Sequence, residues 1–226
     1  MIDTVAKQTP RAQSAQEEIA NSLSHGLMLL ASVVAVPFLF AARLHHELRT
    51  TEIIGYAVFA ATMVLLYLTS TVYHALPNGS CKRLFLRLDL GAIYLFIAGS
   101  YTPFAMGAMS AQDGPVDVLA WVLLGGVWAL AVTGASLKVL ERLTHPLVST
   151  GLYLVMGWTV LIAALPLIER VPAASFFWLV AGGIAYSVGV IFFVLDSRLR
   201  FAHSVWHGFV ATGTGCHFAA VMNFTA

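Results

Sequence analysis

The fold of this chain is decided by stretches such as residues 52–75, EIIGYAVFAATMVLLYLTSTVYHA. Glu52 is the only Asp, Glu, Lys or Arg in that stretch. An α-helix needs about 20 mostly apolar residues to cross a bilayer, so the stretch predicts a membrane-spanning helix. Its last turns carry Ser70 and His74, which are four residues apart and therefore share one helix face.

The composition of the whole chain agrees with a membrane protein. Hydrophobic residues make up 59% of the 226 residues and charged residues 10%, whereas soluble domains have about 25% charged residues. The formal net charge of +1 offers no long-range field to attract DNA or RNA. These values exclude an ordinary soluble enzyme, a disordered chain and a nucleic-acid binder. Cys81 and Cys216 are too few for a disulfide framework.

Seven apolar stretches separated by short polar segments predict an all-α fold, a seven-transmembrane-helix bundle in one domain covering residues 1–226. The predicted spans are 22–44, 52–75, 84–108, 116–138, 146–168, 173–196 and 203–224. Residues 1–21 are expected to form a cytoplasmic N-terminal segment without a cleaved signal peptide. Within that segment, Ser14 and Glu17 have the spacing of a capping box, which predicts a short interfacial helix from about Ala15.

Basic residues are divided unequally between the two ends of the predicted spans. Nine lie on the side of the N-terminus: Lys7, Arg11, Lys82, Arg83, Arg87, Lys138, Arg142, Arg198 and Arg200. Three lie on the other side: Arg43, Arg49 and Arg170. Because basic loops stay in the cytoplasm, we expect a cytoplasmic N-terminus and a C-terminus outside.

Ionisable side chains within the spans are costly in a membrane and mark functional sites. With the predicted topology, Ser70 and His74 lie at the cytoplasmic end of the second span. Asp89 lies in the first turns of the third span, and His203 and His207 lie in the first turns of the seventh. We therefore expect these five side chains to lie at a similar depth near the inner leaflet.

Three histidines around one point are typical of a zinc site. Zn²⁺ binds imidazole nitrogens in a tetrahedron, and three protein ligands leave a fourth position for water. The spacing of His203 and His207 lets one helix face supply two of the ligands. We expect His74 to complete the set, Asp89 to accept a proton from the water, and Ser70 to hydrogen-bond the water or a substrate carbonyl.

Other interpretations of these residues are open at this point. Histidines at the end of a membrane helix can lie among lipid headgroups, where they bind no metal. Asp89 can form an interfacial salt bridge with Arg87 or Arg83.

The remaining histidines point less clearly to a site. His25 begins the first span and is expected at the interface, with a place beside the metal site as the alternative. His217 lies about 15 Å further along the helix than His207, so it is expected to be a hydrogen-bonded interior residue. A solvated position is expected for three others: His45, His46 and His145.

Several segments resemble one known family. They are STVYH at 70–74, RLD at 87–89, AGSYTPF at 98–104, HSVWH at 203–207, and EEIAN at 17–21 followed by SHG at 24–26. Together they resemble the hemolysin III family, the bacterial branch of the progestin and adipoQ receptor superfamily. The resemblance covers nearly the whole chain, in the right order.

The resemblance implies a seven-helix bundle of the bacterial inner membrane with a cytoplasmic N-terminus. It implies that His74, His203 and His207 hold Zn²⁺, with Asp89 and Ser70 beside the zinc-bound water. The similar adiponectin receptors are associated with hydrolysis of ceramide amides. Alkaline ceramidases, which are thought to be lipid hydrolases, share the Ser, Asp and three-His pattern.

Three functions are compatible with these expectations. The first is a zinc-dependent hydrolase that cleaves an amide or ester bond of a membrane lipid. The second is a non-enzymatic sensor or regulator of membrane lipid, in which zinc is structural. The third is a channel or cytolysin-like pore. A membrane lipid is the expected partner in the first two, as substrate or as ligand.

Overall fold

The structure is a computed structural model that describes residues 11–41, 49–108, 118–163 and 171–224. The described residues form seven helices: α1 Ala15–Ala41, α2 Thr50–Ala75, α3 Ser80–Ala108, α4 Val118–Val139, α5 Pro146–Ala163, α6 Ala173–Leu195 and α7 Ala202–Asn223. Each helix overlaps one of the predicted spans, so the all-α prediction is confirmed.

Five of the helices are long and apolar enough to cross a membrane: α1, α2, α3, α4 and α6. Many of their apolar side chains are exposed on the outside of the bundle. On α1, for example, Leu23, Leu27, Leu30 and Val34 form one exposed stripe, whereas the polar Asn21 is fully buried. Apolar residues outside and polar residues inside are what a lipid solvent requires, so the chain is a multi-pass membrane protein.

Among the described residues, α7 is too polar to belong to this group, with His203, His207 and His217 in its sequence. The helix α5 is described only as far as Ala163, short of the end of its predicted span. The seven-span arrangement and the orientation of the termini therefore stay predictions.

The first turn of α1 differs from the expected interfacial helix. The helix does start at Ala15, after a capping box in which the Ser14 amide donates to Oε2 of Glu17 at 2.9 Å. It then continues without a break to Ala41, so the prediction of a separate short helix is wrong. One face of this turn packs against protein, since Glu17 is 1% exposed, whereas Ala15 and Gln16 on the other face are exposed.

The contacts between neighbouring helices determine which helix ends lie together. The helix α2 packs against α1 and α3, and α7 packs against α6 and α1. These contacts are close because small residues face large ones: a Cβ at Gly99 would overlap Thr62, and one at Gly182 would overlap His217. The C-terminal end of α2 and the N-terminal ends of α1, α3 and α7 consequently meet at one end of the bundle.

Candidate metal centre

Three predicted histidines converge at this end of the bundle. One ring nitrogen of each of His74, His203 and His207 lies within 4.8 Å of the others. His74 comes from the last turn of α2, and the other two come from the first turns of α7. His74 and His207 are buried, and His203 is half-buried. The arrangement fits one metal ion, whose identity this geometry does not specify.

The turn before α7 explains how His203 reaches the cluster. Phe201 has a φ of 58°, in the left-handed region that non-glycine residues rarely adopt. Its amide donates a hydrogen bond to Oε1 of Glu17 at 2.9 Å. This bond to α1 supports the strained turn, after which the helix places His203 and His207 on one face.

Each of the three rings is held through its Nδ1 atom. The Nδ1 atom of His74 lies 2.7 Å from Oε2 of Glu18. The Nδ1 atom of His203 lies 3.2 Å from Oδ2 of Asp196. Because ionised carboxylates only accept hydrogen bonds, both Nδ1 atoms carry the proton.

The Nδ1 atom of the third ring, His207, is hydrogen-bonded to a hydroxyl group. Oγ of Ser24 lies 2.9 Å from Nδ1 of His207, and it already donates its hydrogen to the Asn21 carbonyl at 2.8 Å. It must therefore accept a hydrogen bond from His207. In all three histidines the Nε2 lone pair is thus left free for a metal, and Nε2 of His74 is buried without any hydrogen-bond partner.

These partners are functional residues that the sequence analysis missed. Glu18 and Ser24 lie in segments that it quoted for the family resemblance, but it gave them no role. Asp196 was only the end of a predicted span. Carboxylates that hydrogen-bond metal-binding histidines fix the tautomer and the ring orientation, and this is the role that the geometry gives to Glu18 and Asp196.

The residues just before α1 connect the site to the turn between α6 and α7. Gln13 donates to Oδ2 of Asp196 at 2.9 Å, and Arg11 donates to both carboxylate oxygens of Glu17 at 2.7 and 2.6 Å. The hydrogen bond to Glu17 raises the pKa of the Arg11 guanidinium above its ordinary value, which reflects how strongly the two side chains are paired.

Ser70 and Asp89 lie next to the histidines, as the sequence predicts. Both line one cavity together with His203 and His207, and Asp89 interacts with Ser70 and His203. Of the two partners considered for an Asp89 salt bridge, Arg87 pairs with Glu141 at 2.5 Å, and among the described residues Arg83 forms no ion pair with Asp89.

His25 lies beside the metal site, which the sequence analysis gives as the alternative to an interfacial position. Its side chain is buried, at 4% exposure, and not interfacial. Its Nδ1 lies 2.7 Å from Oγ of Ser70, and its ring stacks on His207 with centroids 3.4 Å apart. The position at the start of α1 suggested an interface, but packing of α1 against α2 and α7 turns the ring inward.

The other predicted positions agree with the structure where it describes them. His217 is buried against Gly182, contacts the Leu179 backbone, and lies outside the three-histidine cluster. His145 is exposed, and Cys81 and Cys216 are free thiols. The predictions for His45 and His46 lie outside the described residues.

The cavity beside the histidines has a volume of about 300 Å³, and all seven helices contribute residues to its wall. Asp89 and two of the three clustered histidines, His203 and His207, line it, as does His217. Apolar side chains such as Ile97 and Leu161 form much of the rest. A site with few polar groups in an apolar pocket is typical of a binding or catalytic site for a small amphipathic molecule.

Comparison with known proteins gives consistent matches over most of the chain. The sequence model described as "Haemolysin-III related" matches residues 13–218. Hemolysin-3 of Bacillus cereus is 38% identical over 216 residues, which cover 96% of this chain and 95% of that protein. The Hemolysin-3 homolog of Bacillus subtilis is 39% identical over 207 residues, which cover 92% and 93%. The human monocyte to macrophage differentiation factor is 29% identical over 220 residues, which cover 92% and 84%.

Proposed function

The chain belongs to the haemolysin-III-related family of membrane proteins, and from this membership and its histidine cluster we propose that it is a zinc-dependent hydrolase. Its substrate is a membrane lipid with an amide or ester bond, which reaches the site from the bilayer. It acts in the inner membrane, as a seven-span protein with a cytoplasmic N-terminus.

The observation that carries the proposal is the state of the three imidazoles. Hydrogen bonds to Glu18, Asp196 and Ser24 hold every Nδ1 and leave every Nε2 free. Three neutral imidazoles are the donor set of catalytic zinc sites, in which one position stays open. When bound, zinc would polarise a carbonyl group and make an attacking water more acidic.

The residues around the cluster supply the remaining chemistry. Asp89, beside Ser70 and His203, takes the proton from the attacking water and returns it to the leaving group. Ser70 donates to the carbonyl oxygen as negative charge develops there. Because His25 Nδ1 is hydrogen-bonded to Ser70, it must be the donor of that bond if the Ser70 hydrogen is to point at the substrate.

A structural role for the metal is the second candidate, and one observation favours it. The histidines come from α2 and α7, and their hydrogen-bond partners come from α1 and the end of α6. A metal at this position would therefore stabilise four helices against one another, as a lipid sensor would need.

Lipid analysis separates the two candidates. Cells that express the parent chain are expected to lose one lipid class and accumulate its hydrolysis products, relative to cells that express an inactive variant. Mass spectrometry of total lipid extracts measures both. Identical lipid profiles in every headgroup class would reject the hydrolase and favour the sensor.

The proposed orientation predicts the position of the C-terminus. A reporter enzyme that is active only in the cytoplasm is expected to be inactive when fused after Ala226, because basic residues hold the N-terminal side inside. The same reporter inserted at Asn78, in the turn between α2 and α3, is expected to be active. Activity in the first fusion would show that the orientation is wrong.

The carboxylate partners of the histidines predict a graded loss of metal affinity. Asp196→Ala is expected to weaken zinc binding by about 10–100-fold, because the His203 ring loses the acceptor that orients it. Competition with a chromophoric chelator measures the affinity. Glu141→Ala, which removes an exposed carboxylate paired with Arg87, is the matched control. Equal affinities in the two variants would contradict a role for Asp196.

A further inference from the structure

One buried cation lines the proposed substrate cavity and has no role in the mechanism above. Lys138 lies in the last turn of α4, is 6% exposed, and contributes to the wall of the cavity that also contains Asp89 and His203. A lysine is almost never this deeply buried unless its charge is paired.

Within the described part of the chain, the Lys138 ammonium has no ion pair and no hydrogen bond. Glu141, one turn further along, pairs with Arg87. The other buried lysine shows what a satisfied ammonium looks like. Lys82 lies 3.0 Å from a Glu18 oxygen and donates to the Tyr73 carbonyl at 3.0 Å.

Most of the Lys138 side chain is buried, but its Nζ atom is not among the fully buried polar atoms that lack a partner, so it keeps access to open space. Partial burial of a charge that has no partner among the described residues costs free energy. Since Lys138 lines the cavity, an anion that enters the cavity would offset this cost.

A second feature of the same wall favours an anion. Thr144 and Pro146, at the start of the 18-residue helix α5, line the cavity beside Lys138. Pro146 has no N–H group, and the Ser149 N–H donates to the His145 carbonyl at 3.2 Å. The contribution of α5 is therefore the positive end of its helix dipole, which attracts negative charge, and a cation lies in the same wall.

The rest of the cavity shows that the anion belongs to an amphipathic molecule. Most of the remaining wall is apolar, with Ile97, Trp158, Leu161 and Leu179 among the residues, and hydroxyl groups such as that of Ser100 are interspersed. A free inorganic anion would leave this apolar surface empty, whereas an acyl chain would fill it.

We propose that Lys138, with the positive end of the α5 dipole in the same cavity wall, binds the phosphate group of a lipid whose acyl chain occupies the apolar part of the cavity. This proposal builds on the proposed hydrolase and names its substrate class, a lipid with an anionic phosphate headgroup. The headgroup lies at Lys138, and the bond nearest the headgroup faces the histidine cluster and Asp89.

A binding experiment without turnover tests the proposal. The probes are an alkyl ether of glycerol phosphate and the alkyl ether of glycerol with the same chain. Neither contains an ester or amide bond, so binding is measured whether or not the protein is a hydrolase. The full chain in detergent is expected to bind the phosphate probe more tightly by about tenfold or more, the effect of one charge-assisted hydrogen bond.

The variant Lys138→Gln is expected to lose this preference and to bind the neutral probe as before. Arg142→Gln removes an exposed charge at the same end of the bundle and is expected to keep the preference. Equal weakening of both probes by Lys138→Gln, or a preference that survives it, would overturn the proposal. Glycerol phosphate without a chain must bind much more weakly, and equally tight binding would show that the ligand is a soluble phosphate compound.

The unfolding temperature of Lys138→Gln is a second measurement. Replacement of a lysine that only stabilises the fold would lower it. Since the Lys138 charge has no ion pair within the described parts of the chain, Lys138→Gln is expected to unfold at the same or a higher temperature than the parent. A lower unfolding temperature would assign Lys138 to the packing of α4 and contradict a ligand site. If probe binding depends on Lys138 while no lipid is hydrolysed, the hydrolase is rejected and the phosphate site remains.

Discussion

Asp89→Asn is expected to keep the zinc of the parent protein and to lower its lipid turnover by about 10²–10⁴-fold, the usual contribution of a general acid–base group. Asparagine has nearly the same shape as aspartate and still forms hydrogen bonds, but it cannot take up a proton at neutral pH. The Asp89 side chain faces the cavity beside Ser70 and His203. Metal analysis, thermal unfolding and product quantification on the same sample measure the three quantities involved.

The combination of results identifies the role of Asp89. Lost turnover with zinc and stability intact supports proton transfer by this carboxylate. Loss of zinc would make Asp89 a ligand or a support of the histidines, and unchanged turnover would contradict the mechanism. Glu141→Gln is the control, because it neutralises an exposed carboxylate at the same end of the bundle and is expected to leave turnover unchanged.

Removal of the three histidines is expected to abolish metal binding. The parent is expected to hold about one zinc per chain, and the combined variant His74→Ala, His203→Ala and His207→Ala is expected to hold none. His203→Ala alone is expected to remove most of the zinc. Since metal binding adds to the free energy of folding, the same variants and the chelated parent are expected to unfold at a lower temperature. Elemental analysis and thermal unfolding measure these effects.

His217→Ala is the matched control for these variants. The substitution deletes a buried imidazole from α7. His217 lines the same cavity but lies outside the three-histidine cluster. Its stability is expected to fall because a cavity is left behind, but its zinc content is expected to equal that of the parent. Full zinc retention in the triple variant would refute the site, and zinc loss in His217→Ala would place its centre elsewhere.

Much of the architecture was predictable because it depends on local sequence. Apolar stretches long enough for a bilayer predicted a helix at each of the seven places where the structure has one. Even the start of α1 followed from a local signal, the capping box of Ser14 and Glu17. The error lay in separating that turn from the span that follows, since hydropathy alone says nothing of the protein surface that buries Glu17.

The candidate site was likewise predictable only in part. Alternation of the helices predicted which ends meet, and therefore that His74 would approach His203 and His207. Two of the three hydrogen-bond partners could not be predicted, because they lie far from their histidines in the chain. Glu18 is 56 residues from His74, and Ser24 is 183 residues from His207.

The sequence by itself determined a multi-pass helical membrane protein, its family and the end of the bundle at which polar residues gather. It could do so because bilayer thickness sets helix length and helical period sets the face of each residue. Only the tertiary structure decided that the His25 ring stacks on His207 and that the Nδ1 atom of each clustered histidine has a hydrogen-bond partner. It also decided that Lys138 lines the cavity with no ion pair among the described residues. Helical period specifies where a side chain lies on its own helix, whereas what it contacts depends on how the other helices pack against it.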